Sequence, residues 1–358
     1  MVVINLKKKI ILTIILCSFL FCSCGDKIIY ESDELTTNTE NTNYFKSNKE
    51  QYNIALITDY NGLNDKNIND LGLKGLERAY KDLNISKSLI ETNSIEEYRE
   101  SILEAINSNM DLIIPIGKSY ENIVNEMAKK YDNQKFLVID YEVNLSNVKM
   151  VYFREEETMF LFGITAAVKT KNNEILYLDK EGINSDKLYY SFLTGVKEIN
   201  KDINVERLKI DDKILKDDFQ SLLNNEMRKK YDVVVDYFSL FLESLEYIST
   251  KNDIYIMYGD SDLYNMSNWL CKSNKLFDEI IYNTSKELIN ESFEGGYKTV
   301  GLKDKGMNFI YNSKALSDIK RKKIDKYIDF IDGKYFISIP TNEDEFIEFK
   351  IPRNFYLE

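Results

Sequence analysis

The chain has 358 residues, 44% of them hydrophobic, enough to fill two domains of ordinary size. It contains no histidine, which excludes Ser-His-Asp and Cys-His nucleophile systems and any His-ligated metal site. Its net charge of −12, without a basic stripe, argues against nucleic-acid binding.

In chain order, residues 1–23 read as an export signal. Lys7, Lys8 and Lys9 form its charged region and Ile10 to Phe21 its apolar region. That apolar run is short of the roughly 20 residues that span a bilayer. Phe21-Cys22-Ser23-Cys24-Gly25 resembles a bacterial lipoprotein box, with Cys24 as the acylated mature N-terminus; a plain cleaved secretory signal is the alternative. Residues 24–50, with TTNTENTN at their centre, are polar and aperiodic, and read as a flexible tether.

Order begins at Tyr52. Asn53-Ile54-Ala55-Leu56-Ile57-Thr58 is the apolar run of a strand buried on both faces, and it ends in Asp59. A polar turn follows, and an amphipathic helix starts near Asn67. In open α/β sheets ligands sit at the carboxyl ends of strands, facing helix N-termini. Asp59, Asp65 and Asn69 are therefore candidates to hold a small polar molecule. Turn and cap chemistry, which Asp and Asn favour, explains the same residues without a ligand.

Further strands are predicted at 86–91, 111–116, 135–140, 148–153, 174–179, 203–210, 232–236, 254–258 and 298–302. Helices are predicted at about 68–83, 95–108, 119–131, 156–169, 185–199, 214–229, 239–250, 278–293 and 313–332, with 334–351 strand-rich. Repeated βα units on this scale imply parallel sheets covered by helices, here in two lobes. The lobes are expected at 51–140 plus about 261–310, and at 141–260 plus about 311–358, joined by short crossings that suit a hinge.

Several segments, in order and spacing, resemble one family. Thr58-Asp59-Tyr60-Asn61-Gly62-Leu63-Asn64-Asp65-Lys66-Asn67-Ile68-Asn69 echoes T-D-x-G-G-x-x-D-x-S-F-N. Asp111 to Gly117, Ala128 to Asp140, and Asn147 through Phe153-Arg154-Glu155-Glu156-Glu157 to Gly163 match its next segments. Phe192, Gly195 and Val196 match G-F-x-x-G-V, Gly259-Asp260-Ser261-Asp262 matches G-V-D-S-D, and Gly301-Leu302-Lys303 matches G-L-K. Over about 52–310 the chain resembles the basic membrane protein family of bacterial lipoproteins, the solute-binding proteins of nucleoside ABC transporters.

The resemblance implies a type I periplasmic-binding-protein fold, two doubly wound α/β lobes closing on a nucleoside. It implies that Asp59 and Asn69 face the ligand from the first lobe and that Asp260 accepts from the ribose hydroxyls. Lys275 would donate to the ligand or hold Asp260. Asp65 and Gly117, in the matching segments, count with them as ligand-binding positions. It further implies a lipid-anchored, extracytoplasmic monomer with an ABC permease as partner and no cofactor. Nothing supplies a nucleophile–base pair, a metal cluster or a phosphate loop, so no enzymatic activity is expected.

The departures are specific. Ile68 stands where the family has a base-stacking phenylalanine, Asp179-Lys180 replaces a Gly-Gly, and Lys118 follows Gly117 where an apolar residue is usual. Asp236-Tyr237-Phe238-Ser239-Leu240-Phe241 replaces a glycine-rich turn. Tyr60, Tyr120, Tyr190, Phe238 and Phe241 are candidates for a substitute ring and read equally as core or rim. A second reading follows, in which a surface lipoprotein of the same fold has a drifted pocket and acts as a sensor or regulatory partner.

Overall fold

The computed structural model describes residues 27–28, 51–65, 67–180, 182, 184–210, 219–221, 231–240, 242–259, 266–331 and 338–351. Cys24, Asp260 and Phe241, most of the expected tether and most of the helix expected at 214–229 lie outside them.

The chain builds two sheets. A two-residue strand, Lys27–Ile28 (β1), precedes Tyr52–Ile57 (β2), Ile85–Ile90 (β3), Leu112–Pro115 (β4), Lys135–Ile139 (β5) and Val148–Phe153 (β6). Helices Ile68–Asp82 (α1), Tyr98–Asn107 (α2) and Glu121–Lys130 (α3) alternate with the strands from β2 to β5. Then come Glu155–Lys169 (α4), Glu174–Lys180 (β7), Ser185–Ile199 (α5), Asn204–Ile210 (β8), Val233–Asp236 (β9), Leu242–Asn252 (α6) and Tyr255–Gly259 (β10). Trp269–Ser273 (β11), Phe277–Ile289 (α7), Gly296–Val300 (β12), Ile310–Tyr311 (β13), Asp318–Asp329 (α8) and Glu343–Glu348 (α9) complete the order.

The six-stranded sheet runs β12-β6-β5-β4-β2-β3 and is parallel throughout. The seven-stranded sheet runs β1-β13-β11-β10-β9-β7-β8; its two end strands, β13 and β1, pair antiparallel. The central strands β4, β5, β9 and β10 are buried on both faces, which is why they read as nearly unbroken apolar runs. Along β2, Ala55 and Ile57 pack with Ile113 and Val138 on one face, while Ile54 and Leu56 join the larger core on the other. In β7, Leu176 and Leu178 pack with Val234 and Ile256, and Ile175 and Tyr177 join that same larger core.

Helices α4 and α5 cross at backbone distance because each has a glycine at the contact. A Cβ on Gly163 would lie 2.1 Å from the Phe192 carbonyl oxygen, and one on Gly195 2.1 Å from that of Phe160. Any side chain there would force the helices apart, so the helix packing beside the second sheet depends on two hydrogen atoms.

Strand order places the functional positions. In the first sheet the winding direction reverses between β2 and β4, and in the second between β7 and β9. Ligand crevices in doubly wound sheets open at such switch points, outside the carboxyl ends of the strands. Asp59 and Gly117 stand just beyond the ends of β2 and β4, after Thr58 and Ile116.

The chain passes between the sheets from β6 into α4, from β11 into α7, and from β12 to β13. The first two crossings come later than the expected lobe bounds, and the third, between Val300 and Ile310, lies close to its own. Val148–Phe153, placed by sequence in the second lobe, pairs in register with β5 and β12 of the first sheet. Trp269–Ser273, placed in the first lobe, pairs with β10 of the second. That strand was missed because its Lys and Ser residues hide the apolar pair Leu270 and Cys271, which are fully buried. The strand-rich reading of 334–351 is also corrected, since the described residues there include the helix Glu343–Glu348. Asn342 caps that helix, its side chain accepting from the Glu345 backbone N–H.

Candidate functional site

Asp59 sits at the first switch point, 8% exposed. Its Oδ1 accepts from the Asn69 amide nitrogen at 2.7 Å and the Asn61 backbone N–H at 2.9 Å, and its Oδ2 from the Asn61 side chain at 3.0 Å. Asn69, fully buried, returns a bond by accepting from the Asp59 N–H at 3.0 Å. Its second amide proton goes to Asp65 Oδ2 at 2.9 Å. Both protons of the Asn69 amide are therefore used inside the protein. Asn69 orients Asp59, whereas the expectation was that it faces a ligand.

Asp65 works as the cap of α1. It accepts from the backbone N–H groups of Asn67 at 2.8 Å, Asn69 at 3.2 Å and Asp70 at 3.3 Å. These are the orphan donors of a helix start, and a carboxylate there also complements the helix dipole. The turn-and-cap reading accounts for these three backbone bonds of Asp65.

Gly117 adopts φ +99°, a conformation open mainly to glycine, and a Cβ there would come 3.3 Å from the Asp59 Cβ. Bare backbone thus flanks the Asp59 carboxylate. Behind it, Tyr98 and Tyr120 stack at 3.8 Å between ring centres. The Tyr120 hydroxyl donates to the Thr58 carbonyl at 2.8 Å, and the Tyr98 hydroxyl accepts from the Tyr60 N–H at 3.0 Å. Burial raises both phenol pKa values above the ordinary range. Tyr120 is thereby core, not a substitute stacking ring; Tyr60 is half exposed at the tip, and Phe238 packs edge-on against Tyr237. Ile68 is partly buried against the core.

The two sheets meet at Lys275. It follows β11, in a segment bridged antiparallel to Met307. Its ammonium reaches Asp140 Oδ2, beyond the tip of β5 in the other sheet, at 2.8 Å, and Glu155 Oε1, the first residue of α4, at 3.2 Å. The Tyr237 hydroxyl donates to the same Glu155 oxygen at 3.0 Å. Asp140 itself holds φ +61°, a left-handed conformation that few side chains tolerate and that Asp tolerates better than most. Asp140, Glu155 and Tyr237 were not singled out from the sequence. The strand-tip rule that picked Asp59 applies equally to Asp140, which ends Lys135-Phe136-Leu137-Val138-Ile139-Asp140.

The arrangement offers carboxylate acceptors and an ammonium donor at the carboxyl edges of both sheets, the groups that recognise hydroxyls and amide-like edges. Among the described residues no cluster of three or more His, Cys, Asp or Glu could hold a metal.

The chain is similar to several known proteins. The chain is 25% identical over 331 residues to the ABC transporter nucleoside-binding protein BmpA of Lactococcus lactis subsp. cremoris, covering 82% of this chain and 90% of that protein. An uncharacterised lipoprotein of Pyrococcus abyssi is 30% identical over 125 residues, 34% of this chain and 31% of that one. An ABC transporter solute-binding protein structure from Aeropyrum pernix superposes with a TM-score of 0.66 at 17% identity, covering 83% of this chain and 96% of that one. Residues 52–343 match the family described as Bmp, ABC transporter substrate-binding protein PnrA-like. The chain belongs to that family, and its two parallel-dominated sheets are the α/β architecture of periplasmic-binding-type solute receptors.

Proposed function

We propose that this protein is a lipid-anchored, extracytoplasmic solute-binding protein that takes a nucleoside-like molecule between its lobes and presents it to an ABC permease. The observation that carries the reading is the meeting of strand tips from both sheets at one ammonium, Lys275 with Asp140 and Glu155. A hydroxyl-rich guest can donate to such carboxylates and accept from the lysine, replacing a contact within the protein by contacts to both lobes. Asp59, oriented by Asn69 and flanked by Gly117, adds an acceptor from the first lobe. Asp260, next in sequence to the β10 tip, would take the ribose diol, and acylated Cys24 would hold the monomer at the membrane surface. Closure on the guest would raise affinity for the permease through differential binding of the closed form.

The test is a thermal melt of the purified protein against a nucleoside panel. A ligand that binds the native state raises the melting temperature by mass action, about 2.7 kcal/mol at a hundredfold excess over Kd. At least one member of the panel raises the melt; a flat response at millimolar concentration rejects the reading.

One observation favours the second reading, a receptor with a drifted pocket that serves as a sensor. Ile68 offers no ring for stacking, a contact of about 1–3 kcal/mol per base, and Tyr120 is committed to the core. The two readings part on the panel: a sensor with a filled cleft melts at one temperature whatever nucleoside is added.

A further inference from the structure

The first strand of the chain and helix α8 meet at one end of the second sheet. Lys27–Ile28 pairs with Ile310–Tyr311 as the outermost strand there. The Tyr311 hydroxyl donates to Asp325 of α8 at 2.8 Å, and the Lys169 ammonium, at the end of α4, donates to the Ala315 carbonyl at 2.6 Å. Positive charge collects at this corner of an otherwise acidic chain. Between Lys314 and Lys326 stand six basic residues and two acidic ones, against 47 basic and 59 acidic in the whole chain. Lys169 and Lys171 add to the group, and burial together with their charges holds the Lys320 ammonium below the usual amine range. The acidic neighbours are few: Asp318 pairs with Arg321, and Asp232 accepts from the Thr170 hydroxyl and the Lys171 N–H at 2.6 Å each. On α8, Ile324, Tyr327 and Ile328 are buried, whereas Ile319, Lys322 and Lys323, three and four residues apart, share the exposed face. Ile319 is 82% exposed, an apolar side chain standing in water among ammonium groups.

We propose that this corner of the second lobe faces the membrane, with Lys314, Lys320, Lys322 and Lys323 against the phosphates of an anionic bilayer and Ile319 in its interface. The proposal rests on the lipid-anchored part of the reading above, and nucleoside binding plays no part in it. The anchor selects the occupant. Cys24 precedes Lys27 by three residues, and a chain reaches at most about 3.6 Å per residue, so an acyl group on Cys24 keeps β1 within about 11 Å of the bilayer. Attraction between exposed ammonium groups and lipid phosphates fades over a screening length of about 10 Å at 0.1 M salt, so the anchor brings the lysines to where they count. A net charge of −12 repels the rest of the body from the same surface, which turns the basic corner toward it. Most of the segment expected as a tether then connects β1 of the second sheet to β2 of the first, instead of holding the body off the membrane.

The experiment is amine acetylation of the full-length protein with excess vesicles of phosphatidylcholine, alone or mixed with phosphatidylglycerol, read lysine by lysine by mass spectrometry. Acetylation of Lys322 and Lys323 is expected to slow at least threefold on the anionic vesicles, while Lys129, exposed on α3 beside the first sheet, keeps its rate. The protection should vanish at about 1 M salt, where the screening length falls to about 3 Å. Replacing both exposed lysines, Lys322→Glu with Lys323→Glu, should remove the protection at Lys314 as well. Equal rates on the two kinds of vesicle overturn the proposal, and so does a slowing of Lys129 equal to that of Lys322. Protection that appears only when the vesicles carry membrane protein also overturns it, and assigns the corner to a protein partner. The mass of the N-terminal peptide reports acylation of Cys24 separately, so an unmodified cysteine refutes the anchor while the lysine rates still judge the surface.

Discussion

Asp59 and Asp140 end strands of the same sheet, yet they are held in opposite ways. Asp59 is bonded by its own loop and the helix that follows, through Asn61 and Asn69. Asp140 is bonded by Lys275, which arrives from the other sheet. The first carboxylate is therefore set by local folding and is ready before the lobes are arranged. The second has its partner only when the lobes are in place. In the proposed receptor the first would serve as a fixed acceptor and the second as a contact that a guest replaces.

Asn69→Ala should break the fixed half hardest. It removes three hydrogen bonds, two of them buried, and leaves the Asp59 N–H without its acceptor, a loss of about 3 kcal/mol by denaturant unfolding. An effect of similar size follows from Glu157 at the crossings. Burial raises its pKa on folding, so the native state binds the proton more tightly than the unfolded chain between about 4.5 and 7. The stability it contributes is fully present below the lower value and is lost as pH rises through the upper one, roughly 3 kcal/mol in all. Unfolding curves across this range should show that slope in the wild type and lose it in Glu157→Gln.

Gly117→Ala sharpens the comparison at the backbone. A backbone at φ +99° and ψ 145° is open essentially to glycine and costs a side chain about 1–3 kcal/mol, and here the new Cβ also presses on Asp59. Thermal unfolding should show that loss, and any ligand affinity should fall with it. Asp140→Asn tests the other half with the smallest change in stability, under about 1 kcal/mol, because Asn also tolerates the left-handed conformation and the ion pair is partly exposed. Calorimetry should show altered ligand affinity with the melting temperature nearly unchanged, the reverse of the Asn69→Ala pattern.

Much of the fold was legible in the sequence because doubly buried strands are mostly apolar; the short runs at β2, β4, β5, β7, β9 and β10, alternating with longer amphipathic segments, read as strands. The strands that were missed are β1, β11 and β13. In β11 the residues Trp269, Lys272 and Ser273 flank a core of two residues, and β13 has only Ile310 and Tyr311. Their pairing is decided by tertiary neighbours rather than by pattern. Residue type and strand-tip position singled out Asp59, and helix chemistry explains Asp65 as a cap. Asp140, Glu155 and Tyr237 were not found because their importance lies in partners more than a hundred residues away for Asp140 and Glu155 at Lys275, and 82 residues apart for Tyr237 and Glu155. No local spacing encodes such a meeting.

The most direct measurement is a calorimetric titration of wild type and Lys275→Ala with the nucleoside that most raises the melting temperature. Saturable binding to the wild type, weakened at least tenfold in the variant, is the predicted result. Equal affinity in both proteins, or no heat with any nucleoside, would contradict a guest held where the two sheets meet.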